Sequence, residues 1–220
     1  MDTSTRRSGQ FPRLVLIVED DDFMRNLLAS YLEKSNFEVA MATNALEAKR
    51  AIRDFDPDAV LLDIELGIGP SGLDIADRLT VDRPDIAVVF LTNLSDARFA
   101  NRNSIDLPPH AAYLNKTMLS DPELVVSALE AVLNERDIRE FRHDQLEDRP
   151  FSNLSKTQIQ VLRLIAEGKT NTQIAKERNR SLAATESLVT RTLKALDIEG
   201  NADLNVRVLA ARTFLKNGSK

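Results

Sequence analysis

The chain has 220 residues, enough for one large domain or two small ones, and its 43% apolar and 29% charged residues suit a buried core. It has no cysteine, and its only histidines are His110 and His143, which excludes a disulfide scaffold, a thiol nucleophile, an iron–sulfur centre and a histidine-cluster metal site. The net charge of −5 divides into −11 over residues 1–150 (17 Lys/Arg, 28 Asp/Glu) and +6 over 151–220 (12 Lys/Arg, 6 Asp/Glu), and a basic segment on an acidic chain points to nucleic acid. The plainer alternative is a mildly basic helical domain.

Residues 1–12 read as a disordered tail: Met1–Gln10 is polar, with two arginines and no apolar stretch behind it, unlike a secretory signal. No apolar run reaches the roughly 18 residues of a membrane span, and the lack of cysteine fits the cytoplasm. Five short apolar runs then follow at Leu14–Val18, Val39–Ala42, Ala59–Leu62, Ala87–Leu91 and Ala112–Leu114, with the length and β-branching of strands buried on both faces. Helical spacing lies between them. Phe23, Leu27, Leu28, Tyr31 and Leu32 are expected on one helix face, Ala45, Ala48 and Ile52 on a second, and Leu73, Ile75, Ala76 and Leu79 on a third. The alternation predicts an α/β domain with a five-stranded parallel sheet flanked by helices.

Asp121-Pro122 starts another helix, carrying Leu124, Val125, Ala128, Leu129, Val132 and Leu133. The charged stretch 134–150 reads as a linker or as an extension of that helix, ending at Arg149-Pro150. Residues 151–220 show helices only. Ser155 and Gln158 have capping-box spacing, Gly168 ends the first helix, Asn171 is expected to cap the second and Ser181 the third. Asn201 is expected to precede a fourth helix bearing Leu204, Val208, Leu209 and Phe214. Short helices joined by short turns on a basic segment suggest a helix-turn-helix, here an all-α domain.

Function in an open α/β sheet sits at the carboxyl ends of its strands. The first predicted strand runs into Glu19-Asp20-Asp21-Asp22 and the third into Asp63. Carboxylates from neighbouring strand ends make an oxygen-rich pocket suited to Mg²⁺. Thr92 ends the fourth strand, and Lys116 follows the fifth. A hydroxyl and an ammonium there can meet a phosphoryl group on a carboxylate.

Residues 13–133 resemble the receiver domain of two-component response regulators. The resemblance implies that Asp63 is the phosphoacceptor, that Glu19 and Asp20 form the acidic pair for Mg²⁺, and that Glu65 adds its backbone carbonyl. It also implies that Thr92 and Lys116 sense the phosphoryl group and that Tyr113 is the aromatic switch. The phosphodonor would be a histidine kinase or another donor. Two departures stand out: the loop after Asp63 is one residue longer, with Gly67, Gly69 and Gly72, and Thr117 stands where proline often follows the lysine.

Residues 154–196 resemble the helix-turn-helix of LuxR/NarL-type transcription factors, through Leu154-Ser155, Val161–Gly168, Thr170-Asn171 and Gln173-Ile174-Ala175. By that resemblance Ser181–Leu196 is the helix that enters the major groove. Ser187, Thr190, Arg191 and Lys194 are then its outward residues, and Thr170, Asn171 and Thr172 can donate to a phosphate. Here too the chain departs: Thr185, Glu186 and Leu188 replace the usual residues of that helix, and Asn179-Arg180 stands where Gly-Ile is usual. The resulting expectation is a non-enzymatic, two-domain regulator that dimerises on phosphorylation and binds DNA. The rival expectation is an adaptor whose C-terminal helices bind a protein, favoured by Thr185, Glu186 and Leu188.

Overall fold

The computed structural model describes residues 12–100, 107–118, 121–148, 150–196 and 205–218. The five apolar runs form β1 (Arg13–Val18), β2 (Phe37–Ala42), β3 (Ala59–Leu62), β4 (Ala87–Thr92) and β5 (Ala112–Asn115). They make one sheet in the order β2-β1-β3-β4-β5. Parallel register sets Val18 beside Leu62 and Leu62 beside Phe90, so β1, β3 and β4 end nearly level. Every residue of β3 and the last four of β1 are buried, as strands covered on both faces require.

Helices α1 (Asp22–Lys34), α2 (Ala45–Phe55), α3 (Gly72–Asp82) and α4 (Glu123–Leu133) complete the α/β part. Their starts are local. The carboxylate of Asp21 accepts from the Met24 N–H, and Asn44 caps α2. Ser71 and Asp74 form a reciprocal capping box on α3. The predicted face of α3 is buried as expected. On α1 the expectation fails in part. Arg25, Leu28, Ala29 and Leu32 face the core, whereas Phe23 is 77% and Leu27 47% exposed. At 100° per residue Phe23 and Leu27 lie on the far side of the helix from that stripe.

The charged stretch after α4 does not prolong it. Asn134 ends the helix, and two 3₁₀ turns follow, Arg139–Phe141 and His143–Gln145. Phe141 joins the apolar cluster of the sheet, beside Ile138. The expected tail, 1–12, lies outside the described residues except for Pro12, as do Asn201 and Leu204.

The chain forms two compact units, each discontinuous in sequence. The first contains β1 to β3, most of β4 and β5, and α1 to α4. The second begins at Thr92 with the segment after β4, takes in residues 115–117, and holds everything described from Arg142 onward. Its helices are α5 (Lys156–Ala166), α6 (Asn171–Glu177), α7 (Leu182–Ala195) and α8 (Val206–Gly218). Val161, Leu164, Ile165, Ile174 and Val189 form their shared core. Ser155 and Gln158 make the expected capping box, Gly168 closes α5 with φ +79°, and Ser181 caps α7. The cap of α6 is Thr170 rather than Asn171: the Thr170 hydroxyl accepts from the Gln173 N–H, and the Gln173 carboxamide accepts from the Thr170 N–H.

Candidate functional site

In the first unit, backbone hydrogen bonds fix two of the acidic residues to neighbouring strands. The Glu19 N–H donates to Ala42 O (3.1 Å) and the Asp63 N–H to Val18 O (2.9 Å). Glu19 and Asp63 are buried, while Asp20 is exposed. Carboxylate oxygens of Glu19, Asp20 and Asp63 all lie within 4.8 Å of one another. The fold holds these three carboxyl groups close together, and a hard divalent cation taking oxygen ligands fits them. The Glu65 N–H donates to Asp63 Oδ1 at 3.2 Å.

Two features of this site escape motif reading. Arg25 is nearly buried on α1, and its guanidinium donates to Glu19 O (2.7 Å) and pairs with the Asp22 carboxylate. It braces the backbone that carries Glu19 and Asp20. The available signal was a cation at helical spacing with the buried Leu28, Ala29 and Leu32. The second is Gly72. A Cβ there would lie 2.0 Å from Asp63 O, so only glycine lets α3 begin against the Asp63 backbone. The longer loop places Gly67 at φ +70° and Gly69 at φ +122°, and Gly67 faces the Asp20 carboxylate.

The remaining expected residues stand at strand ends. Tyr113 is fully buried, its ring 6.3 Å from that of Phe90. Thr92 is fully buried and belongs to the second unit, where its Oγ1 accepts from the Leu94 N–H (3.4 Å). Lys116 follows Asn115, whose N–H donates to His143 Nδ1 (3.1 Å). That bond requires Nδ1 to be unprotonated. Burial pushes the His143 imidazole below its ordinary value, against the pull of Asp144. Peptide bonds are trans throughout the described residues, including Lys116–Thr117.

On α7 the outer face carries Glu186, Ser187, Thr190, Arg191 and Lys194, all exposed, as expected of the four polar and basic candidates. Thr185 turns inward, fully buried, and donates its hydroxyl to Ser181 O (3.0 Å). Leu188 packs on the domain core. Both therefore complete the helical domain itself, and of the three departures only Glu186 alters the outer face. The Asn179 departure is conservative, since its φ of +50° is the left-handed conformation that glycine or asparagine supplies in such a turn. At the start of α6, Thr172 is exposed, Thr170 is engaged in its capping box, and Asn171 Oδ1 accepts from Arg207 (3.0 Å).

The response regulator receiver domain matches residues 15–117, and the bacterial regulatory proteins of the luxR family match residues 152–206. The nitrate/nitrite response regulator protein NarP of Escherichia coli is 30% identical, over 91% of this chain and 96% of its own. This chain belongs to the response regulators. A second relative, the transcriptional regulatory protein LiaR of Bacillus subtilis, is 26% identical over 92% of this chain and 99% of its own. Among solved structures, the fold is similar to that of the RcsB response regulator of Salmonella typhimurium (TM-score 0.55, 20% identity, 94% of this chain and 99% of that one). It is also similar to a structure of two RcsB dimers bound to two parallel DNAs (TM-score 0.60, 20% identity, 94% and 98%). The response regulator thus has a receiver fold followed by a luxR-type helical domain, as the motifs implied. The adaptor expectation is not favoured, because transcription regulators match over both parts. Among the described residues no helix is long and apolar enough to cross a membrane.

Proposed function

We propose that this response regulator accepts a phosphoryl group on Asp63 from a histidine kinase or another donor in the cytoplasm and, so modified, dimerises and binds DNA to control transcription. The observation that carries the reading is the convergence of Glu19, Asp20 and Asp63 within 4.8 Å at the carboxyl edge of the sheet. In the transfer, an Asp63 carboxylate oxygen forms the new O–P bond, and the bond from phosphorus to the donor atom (the imidazole nitrogen of a phosphohistidine, or the bridging oxygen of an acyl phosphate) breaks with its electron pair going to that atom. Glu19, Asp20 and Asp63, with the Glu65 carbonyl, would hold Mg²⁺, which supplies positive charge to offset the transferring phosphoryl oxygens. Arg25 keeps the Glu19–Asp20 backbone in place, and burial of Asp63 limits the water that could hydrolyse the product. Thr92 and Lys116 are the residues that register the phosphoryl group, with Tyr113 as the aromatic switch. On DNA, Ser187 and Thr190 would face bases, Arg191 and Lys194 bases or phosphates, and Thr170, Asn171 and Thr172 a phosphate.

The test selects bound fragments from random DNA at physiological salt, using wild type with and without beryllofluoride and Mg²⁺, beside Asp63→Asn. One enriched motif, stronger with the phosphoryl mimic and lost from the mutant's response, supports the reading. Enrichment indifferent to Asp63 removes the phosphoswitch, and no enrichment in any state removes the DNA reader.

A further inference from the structure

The segment Asp96–Ala100, which leaves β4, is built into the core of the helical domain. Phe99 is 4% exposed. Its ring meets those of Phe151 and Phe214 edge-on, each at 5.6 Å. Arg163 on α5 donates to three successive carbonyls of the segment: Arg98 O (3.1 Å), Phe99 O (3.0 Å) and Ala100 O (2.7 Å). These carbonyls end a 3₁₀ turn, Ala97–Phe99, and a half-buried guanidinium satisfies them. In the other direction, Arg98 donates to Phe151 O (3.2 Å) and to Leu154 O, while the buried Asp96 carboxylate grips its guanidinium. Aromatic packing and reciprocal arginine bonds hold one short peptide.

Three residues, Asn93 to Ser95, separate Thr92 from this segment. Leu94 lies between them, buried, its N–H donating to the Thr92 hydroxyl. A Thr92 hydroxyl that turns to a phosphoryl oxygen gives up its place as acceptor for Leu94. The shift then runs through the buried Leu94 into the aromatic cluster. We propose that Arg163 and Phe99 are positioning residues that make segment 96–100 a drive rod, passing the state of Thr92 into α5 and α8 by covalent continuity rather than by release of a loose contact. The segment touches α5 and the α8 ring of Phe214, whereas the outward residues of α7 stay exposed. The device therefore acts on α5 and α8 from within the unit that holds them.

The proposal rests on the phosphoswitch reading above. Its test uses the full chain as wild type, Phe99→Ala, Arg163→Gln and Arg163→Lys, each with Mg²⁺, with and without beryllofluoride. Three quantities are read: phosphorylation by acetyl phosphate (intact mass), affinity for a selected DNA, and amide exchange across 94–100, α5 and α8. In wild type, the mimic should alter exchange in all three segments and raise affinity by roughly tenfold, within the usual span of allosteric coupling. Arg163→Gln and Phe99→Ala should accept phosphate normally and keep basal affinity, yet lose most of that gain. Arg163→Lys should recover part of it. Should Phe99→Ala fail to fold, Arg163→Gln and the wild-type exchange map decide the matter. Full stimulation in Arg163→Gln, or a wild-type map in which 94–100, α5 and α8 ignore the mimic, overturns the drive rod alone. Absence of phosphorylation in wild type overturns the phosphoswitch reading itself.

Discussion

The acidic edge of the sheet and the outer face of α7 are both polar and both central to the proposed function, yet they are built in opposite ways. Glu19 and Asp63 are buried and tied by backbone to neighbouring strands, and a guanidinium braces the peptide beside them. Ser187, Thr190, Arg191 and Lys194 are exposed on a helix whose inner face alone is fixed. Phosphoryl transfer needs atoms held to fractions of an ångström, because the gain lies in preorganised charge. Base and phosphate reading needs side chains that can adapt and that water can leave. The acidic residues of the family's pattern accordingly all stand at the rigid edge, while the open face carries Glu186. The loop beside Asp63 shows the same logic, since a Cβ at Gly69 would meet nothing within 4 Å while Gly72, pressed against Asp63 O, has no room to change.

Four experiments break or sharpen this contrast. The largest effect is expected from Gly72→Ala, which should cost about 3 kcal/mol or more by overpacking and abolish phosphorylation of Asp63. Denaturant unfolding and intact mass measure the two, and a stable, reactive Gly72→Ala would show that the edge is soft. Next, Arg25→Met should leave a folded receiver that takes phosphate more slowly and needs more Mg²⁺, since the Glu19 carbonyl loses a charge-assisted bond worth roughly 1.5–3 kcal/mol. Arg25→Lys should recover part of both in phosphorylation rates titrated with Mg²⁺. On the open face, Arg191→Ala and Lys194→Ala should each lower the salt slope of DNA binding by about one unit. Glu186→Gln should tighten binding by roughly 1 kcal/mol, and anisotropy at several salt concentrations reads all three. Affinity unmoved by any of them would remove α7 from the interface.

The smallest effect is pH linkage through His143. Burial depresses its folded pKa below the ordinary value near 6.5, so its contribution to stability is whole above that value. The contribution is lost as pH falls through the folded value, because the unfolded chain binds the proton more readily. His143→Gln should flatten the slope of unfolding free energy below about pH 6.5, a change read from urea midpoints.

Much of this protein was legible in its residues. The five strands needed only short β-branched runs, since strands buried on both faces must be apolar throughout. The capping boxes at Ser155 and the cap at Ser181 are local contacts, decided within four residues. The acidic residues at strand ends were equally readable, because carboxylates there cannot serve a core. Apolar content alone misplaced Phe23 and Leu27. They face water because the inward stripe of α1 includes a charged residue, Arg25, and hydrophobicity cannot rank a cation above phenylalanine for burial. Thr185 and Leu188 favoured a protein-binding surface and proved to be packing, since only the rotation of α7 against Val161 and Ile174 sets which side faces inward. Composition and short-range pattern thus determined the elements and the acidic strand ends, while the resemblance carried by the motifs supplied the receiver and luxR-type families. Tertiary structure alone decided that Phe99 and Arg163, 64 residues apart, share one cluster, and that the unit holding α5 to α8 begins at Thr92. Such long-range contacts come from packing in three dimensions, and no local periodicity records them.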